Sequence, residues 1–161
     1  MPDASWSLAL REIPTPDYAD AIIVPLPPGT PVDPAQWARR LFSLRTMPRW
    51  VVGALAVRQV LVPLLGIPRA ADDVFTIRDQ HEDEVMLGVD DRHLDFRCAV
   101  AVDQVARLLR VTTTVRLHGW RGRLYFLPVG FLHPLVVRAM IRSAGQSLAK
   151  NRQNDLANKM T

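Results

Sequence analysis

Apolar and polar residues alternate strictly along Leu94–Val102. Leu94, Phe96, Cys98, Val100 and Val102 fall on one side, and His93, Asp95, Arg97, Ala99 and Ala101 on the other. Successive strand residues point to opposite faces, so the two sets cannot mix without a bulge. The same period of two predicts strands over Val74–Gln80, Glu84–Val89 and about 107–117. In the last of these Leu109, Val111, Thr113, Val115 and Leu117 oppose Arg110, Thr112, Thr114 and Arg116. Polar connections at His81-Glu82-Asp83, Asp90-Asp91 and Asp103-Gln104 supply turn chemistry between them. A glycine-flanked turn, GWRG, then leads into RLYFLPV, predicted as the last strand.

Outside this block the pattern changes. YADAIIVPL, Tyr18–Leu26, holds a short β-branched run closed by proline and predicts the first strand. In the loop that follows, Asp33 has the place of an N-cap, Pro34 of the first helical residue, and Gln36 of a capping-box partner. The helix they open puts Trp37, Leu41 and Leu44 on one side and stops near Met47-Pro48. A second helix is predicted over Arg49–Leu65, with Gly66 and Pro68 as its stop. FLHPLVVRAMIRSAGQSLAK predicts a terminal helix over about 132–149, with Pro134 in its first turn. Its stripe of Leu135, Val136, Met140 and Ile141 shares a core with Leu94, Phe96, Val111 and Val115. Residues 1–17 show no sustained period, residues 18–150 make one domain, and 151–161 is a polar tail expected to fray. Sequential strands joined by short turns make an antiparallel sheet, so the class is α+β.

Length and charge narrow the picture. At 161 residues one domain is the natural reading. The formal net charge of +4 comes from scattered arginines. No RGG, serine-arginine or zinc-finger pattern accompanies them, so no nucleic-acid partner is expected. The longest apolar run, Trp50–Ile67, is interrupted by Arg58, Gln59 and Pro63, so it reads as a core or cavity-lining helix and no membrane span is expected. The start, MPDASWSLAL, makes a poor signal peptide. The single cysteine, Cys98, lies in the apolar alternation and reads as a buried, reduced thiol, which suits a cytoplasmic location. Neither a dinucleotide fingerprint, a P-loop nor a G-x-S-x-G motif is present, and no cofactor or metal is expected.

The element order resembles the helix-grip, or START-like (SRPBCC), superfamily. There a curved antiparallel sheet wraps around a long C-terminal helix, with two shorter helices after the first strand. LGVDDRHLDFR (Leu87–Arg97), VTTTVRLH (Val111–His118), GRLYF (Gly122–Phe126) and FLHPLVVRAMI (Phe131–Ile141) are similar to a bacterial family of domains of unknown function, family 2867, of that superfamily. The resemblance covers about Tyr18–Arg142. It implies an apolar cavity between sheet and terminal helix and a small hydrophobic or aromatic ligand; some members of the superfamily are enzymes.

The candidate binding residues are Asp91, Arg92, His93, Asp95, Tyr125 and His133. His93, Asp95 and Arg97 share one strand face. They are either a solvated face with cross-strand pairs to Arg110, Thr112 or Arg116, or, with Asp91 and Arg92, the rim of a cavity. In the second case Asp91 orients His93, which acts as acid, base or hydrogen-bond donor near neutral pH. The H-x-D spacing would also suit a metal, but no third ligand is close in sequence. His133, just before Pro134, either occupies the N-cap region or meets a ligand as a neutral imidazole beside the helix N-terminus. Three functions stay open: small-ligand binding, an enzyme using His93 or His133 as acid or base, and a homodimeric interaction module.

Overall fold

The computed structural model describes residues 6–54 and 76–159, apart from the side chains of residues 125, 156 and 159. Their order is α1 (Leu8–Glu12), β1 (Tyr18–Pro25), α2 (Pro34–Leu41), the helical segment α3 (49–54), β2 (Ile77–Gln80), β3 (Glu84–Asp90), β4 (Leu94–Asp103), β5 (Leu108–Leu117) and α4 (Gly119–Lys159). The five strands form one antiparallel sheet in the order β1-β5-β4-β3-β2. An antiparallel sheet with short helices after its first strand and one long C-terminal helix is the α+β arrangement predicted, and it is consistent with a helix grip. Val74, Pro63, Gly66, Pro68 and the rest of the predicted second helix lie outside the described residues.

Register places the side chains. On the inner face the rows run Ile22–Val111–Val100–Val85, then Asp20–Thr113–Cys98–Leu87, then Tyr18–Val115–Phe96–Val89. The first row is buried and packs with Trp37, Ala38 and Leu41 of α2 and with Val137, Met140, Ile141, Ala144 and Leu148 of α4. Asp33 caps α2, accepting from Ala35 N at 2.8 Å and from Gln36 Nε2 at 3.0 Å. α2 ends at Leu41 because the Thr46 hydroxyl takes the Arg40 carbonyl at 2.6 Å. Leu44 therefore lies beyond the helix and is exposed, not packed beside Leu41.

The outer face is covered as well. α1 lies across it and builds a second small core from Leu8, Ala9, Met86 and Ala99. Glu84 anchors α1 by accepting from Leu8 N and Ser7 Oγ, both at 2.9 Å. It supplies a carboxylate where the N-cap Ser7 side chain gives no cap bond. Thr114 Oγ1 donates to the Ala9 carbonyl at 3.0 Å.

The predicted last strand is helix. Gly119, at φ +70°, turns the chain after β5, and α4 starts at once. The apolar residues of RLYFLPV fit helical spacing as well as alternation, since Phe126 shares a side of α4 with His133 and Val137. Proline interior to a helix removes one N–H and kinks rather than ends it when packing holds both sides. Pro128 and Pro134 are both inside α4, so His133 sits mid-helix and not at an N-terminus. Starting the helix further back also sets its phase. Leu135 is 60% exposed, and the buried stripe runs through Val137, Met140, Ile141 and Ala144. Within the tail 151–161 that the sequence expects to fray, the described residues 151–159 continue the helix to Lys159. By length and composition α4 could cross a membrane, with a mean hydropathy of 1.6 over its most apolar window. One side of it is buried on β1 and α2, whereas Trp120, Leu127 and Phe131 are exposed.

Candidate functional site

β1 carries polar residues in the phase of its core positions. Ile22 is buried on the inner face, so Asp20 and Tyr18, two and four residues earlier, share that face. The Tyr18 hydroxyl donates to Asp20 Oδ2 at 2.9 Å. His133 of α4 reaches the same oxygen through Nδ1 at 2.9 Å. Its side chain and that of Asp20 are each only 16% exposed. Nδ1 is the ring nitrogen that faces the carboxylate, and Nε2 is the one that Asp20 does not engage. The ring is held edge-on to Tyr18, with centroids 5.7 Å apart, and Phe126 packs edge-on to Tyr18 from two turns earlier in α4, at 5.0 Å. Gly130 makes room for these rings: a Cβ there would stand 3.0 Å from Phe126 Cε1.

Two polar atoms of this row stand out among the described residues. Asp20 Oδ1 is buried and has no hydrogen-bond partner among them. Thr113 Oγ1, its cross-strand neighbour, is buried with nothing beyond a weak contact with the Cys98 thiol. Burial, then the hydrogen bond to Asp20 and its negative charge, holds the Tyr18 phenol above its ordinary range. Burial pushes the Cys98 thiol up to about 12, which leaves it a packed thiol and not a nucleophile. Beside the polar row the inner face continues through Phe96, Val89, Leu94 and Ile77, all half-buried.

The stretch DDRHLDFR goes elsewhere. Asp91 forms the β3–β4 turn, donating through its backbone N to the Leu94 carbonyl at 2.9 Å while its side chain accepts from Arg92 N. Arg92 is exposed, and the His93 carbonyl accepts from His118 N at 2.8 Å. Gly122 lets α4 start against that carbonyl, because a Cβ would collide with it. Asp95 pairs with His118 at 3.1 Å. Arg97 is buried on the outer face, held by Asp90 at 2.7 Å and Glu12 at 3.1 Å and donating to the Phe96 carbonyl at 3.0 Å. The guanidinium of Arg97, and then Arg78, keeps the Asp90 carboxyl below its ordinary range despite partial burial.

His133 is thus joined to Asp20 and Tyr18. Among the described residues no hydrogen bond or ion pair joins it to Asp91, Arg92, His93 or Asp95. The Tyr125 side chain lies outside the described residues. Asp20 and Tyr18 went unrecognised in the sequence. The available signal was a carboxylate in phase with Ile22 and Val24. Among the described residues no group of three or more His, Cys, Asp or Glu side chains could hold a metal.

The model of a family described as protein of unknown function, DUF2867, matches residues 13–140. The chain belongs to DUF2867. The matched range contains the whole sheet and all of Tyr18, Asp20, Thr113 and His133, and it ends within α4. For this DUF2867 chain, no curated protein and no solved structure matches.

Proposed function

We propose that this DUF2867 protein is a small-molecule-binding domain of START-like type. The ligand lies on the inner sheet face beside Tyr18, Asp20 and His133, and is a hydrophobic or aromatic molecule carrying a hydrogen-bond donor. The observation that carries this reading is Asp20 Oδ1, which is buried and has no partner among the described residues. A buried acceptor without a partner costs about 1–3 kcal/mol, and a ligand N–H or O–H would recover that. The half-buried Phe96, Val89 and Leu94 supply apolar surface next to it. Burying roughly 300 Å² of apolar ligand is worth about 7 kcal/mol gross at ~25 cal/mol per Å². Association entropy removes much of this, giving micromolar binding. Native mass spectrometry against phenols and aromatic amides, with and without Asp20→Ala, tests the reading. Uptake that ignores the substitution would sink it. We assign the protein to the cytoplasm, where the reduced Cys98 is at home.

The His133–Asp20 contact favours a second reading, acid–base catalysis. A carboxylate that fixes one imidazole nitrogen leaves the other able to act as acid or base. In that case His133→Gln abolishes turnover of a bound ligand while binding persists. Loss of binding alone assigns His133 to positioning.

A further inference from the structure

Away from the inner face, four arginines from three separate elements line one groove of about 700 Å³: Arg39 and Arg40 from α2, Arg107 from the β4–β5 turn, and Arg152 from α4. None of them forms an ion pair among the described residues. The groove's two carboxylates do not neutralise them. Asp33 is engaged in capping α2, and Asp155 leaves an excess of positive charge.

Arg107 carries a second sign. It is the one non-glycine residue with positive φ among the described residues, at 54°. Glycine or asparagine adopts that conformation at lower cost, and a bulky residue there is strained. The turn holds it in place: Asp103 Oδ1 accepts from Val105 N and Ala106 N, and the Arg107 carbonyl accepts from Leu26 N at 2.7 Å. The residue at this strained position is an arginine, and it lines the groove.

Guanidinium forks match the oxygens of phosphate in paired hydrogen bonds, and several of them lining one groove favour a polyanion over a monovalent ion. Val32 and Leu148 add an apolar wall, and the volume suits a small organic ligand. We infer that this groove binds a small molecule bearing a phosphate or diphosphate group. The inference is independent of the inner-face site.

Titration calorimetry of the full chain with inorganic pyrophosphate tests it. Arg107→Gly removes the charge and relieves the backbone, so the fold is retained. Arg152→Gln removes a second fork, and Arg138→Gln on an exposed side of α4 serves as the charge control. The expected result is saturable one-to-one binding, weakened about fivefold or more by each groove substitution and unchanged by Arg138→Gln. ADP and dihexanoyl phosphatidate, run as competitors of pyrophosphate, distinguish a nucleotide from a lipid source, and displacement by either supports the site. No saturable binding, groove variants that bind like the wild type, an equal loss in Arg138→Gln, or no displacement by either competitor overturns it.

Discussion

His133 of α4 and Asp20 of β1, 113 residues apart in sequence, meet at 2.9 Å on the inner face of the sheet. The contact pins the middle of the long helix to an edge strand through a part-buried polar bond, with the Tyr18 hydroxyl on the same carboxylate oxygen. Asp20→Ala leaves both donors without their acceptor and should cost about 2 kcal/mol. Asp20→Asn keeps a carbonyl acceptor and should cost about half as much. Urea unfolding measures both, and an alanine variant as stable as the wild type contradicts the arrangement.

On the opposite face the charged residues around the β3–β4 turn divide into unequal parts. The Arg97 side chain is 8% exposed, and its partner Asp90 is 49% exposed. Removing one partner of a buried charge is costly, whereas exposed pairs contribute at most about 1 kcal/mol. Asp90→Ala should therefore lose about 3 kcal/mol and Asp95→Ala less than about 1 kcal/mol, read from the same unfolding curves. Equal losses would show that the burial of Arg97 is not what matters.

The Asp90 pair also sets an acid dependence. Its folded carboxyl titrates below the ordinary value of 3.8. Its stabilisation is therefore complete at neutral pH and is lost as the pH falls through the folded value. The wild type should lose more stability than Asp90→Asn between neutral pH and strongly acid conditions. Matching acid profiles contradict the pairing.

How much of this was legible in the sequence depends on what fixed each feature. Strands β4 and β5 show plainly because larger apolar residues alternate with charged residues, threonine or alanine, and β3 repeats the period with Val85, Leu87 and Val89. The cover on the outer face does not show. α1 is a single short turn and a half, held by Glu84, Arg97 and Thr114 from distant strands, and no local period records it. RLYFLPV satisfies strand and helix spacing at once, and only the docking of Phe126 against Tyr18 decides for helix. Asp20 was hidden because a carboxylate in a short strand reads as polar exposure until its neighbour across the sheet is known to be buried.

Gly88 is a further consequence of where Arg97 lies. A Cβ at Gly88 would stand 2.5 Å from Arg97 Cδ and 2.6 Å from the Phe96 carbonyl oxygen. The second contact is backbone and cannot swing away. Gly88→Ala should destabilise by about 2 kcal/mol, within the usual cost of overpacking. A neutral result by thermal unfolding would mean that β3 and β4 separate easily at this point.

Cys98 gives an alkaline counterpart. Its thiol rises from 9.0 to about 12 on folding, so the folded chain favours the protonated form. That stability is fully present below pH 9 and declines as the pH rises toward the folded value, with the Tyr18 phenol adding to the loss from about pH 10 upward. Cys98→Ala should flatten the slope between pH 9 and 11, and the native thiol should resist a disulfide reagent at pH 8. Rapid labelling at pH 8 contradicts its burial.

The central claim is that the inner face takes up a ligand through Asp20. Native mass spectrometry of the wild type and Asp20→Ala, each incubated with the same set of phenols and aromatic amides, tests it most directly. The account predicts a one-to-one adduct on the wild type whose affinity falls about tenfold or more in the variant, matching about 1.4 kcal/mol for a lost hydrogen bond. No adduct on either protein, or equal adducts on both, contradicts it.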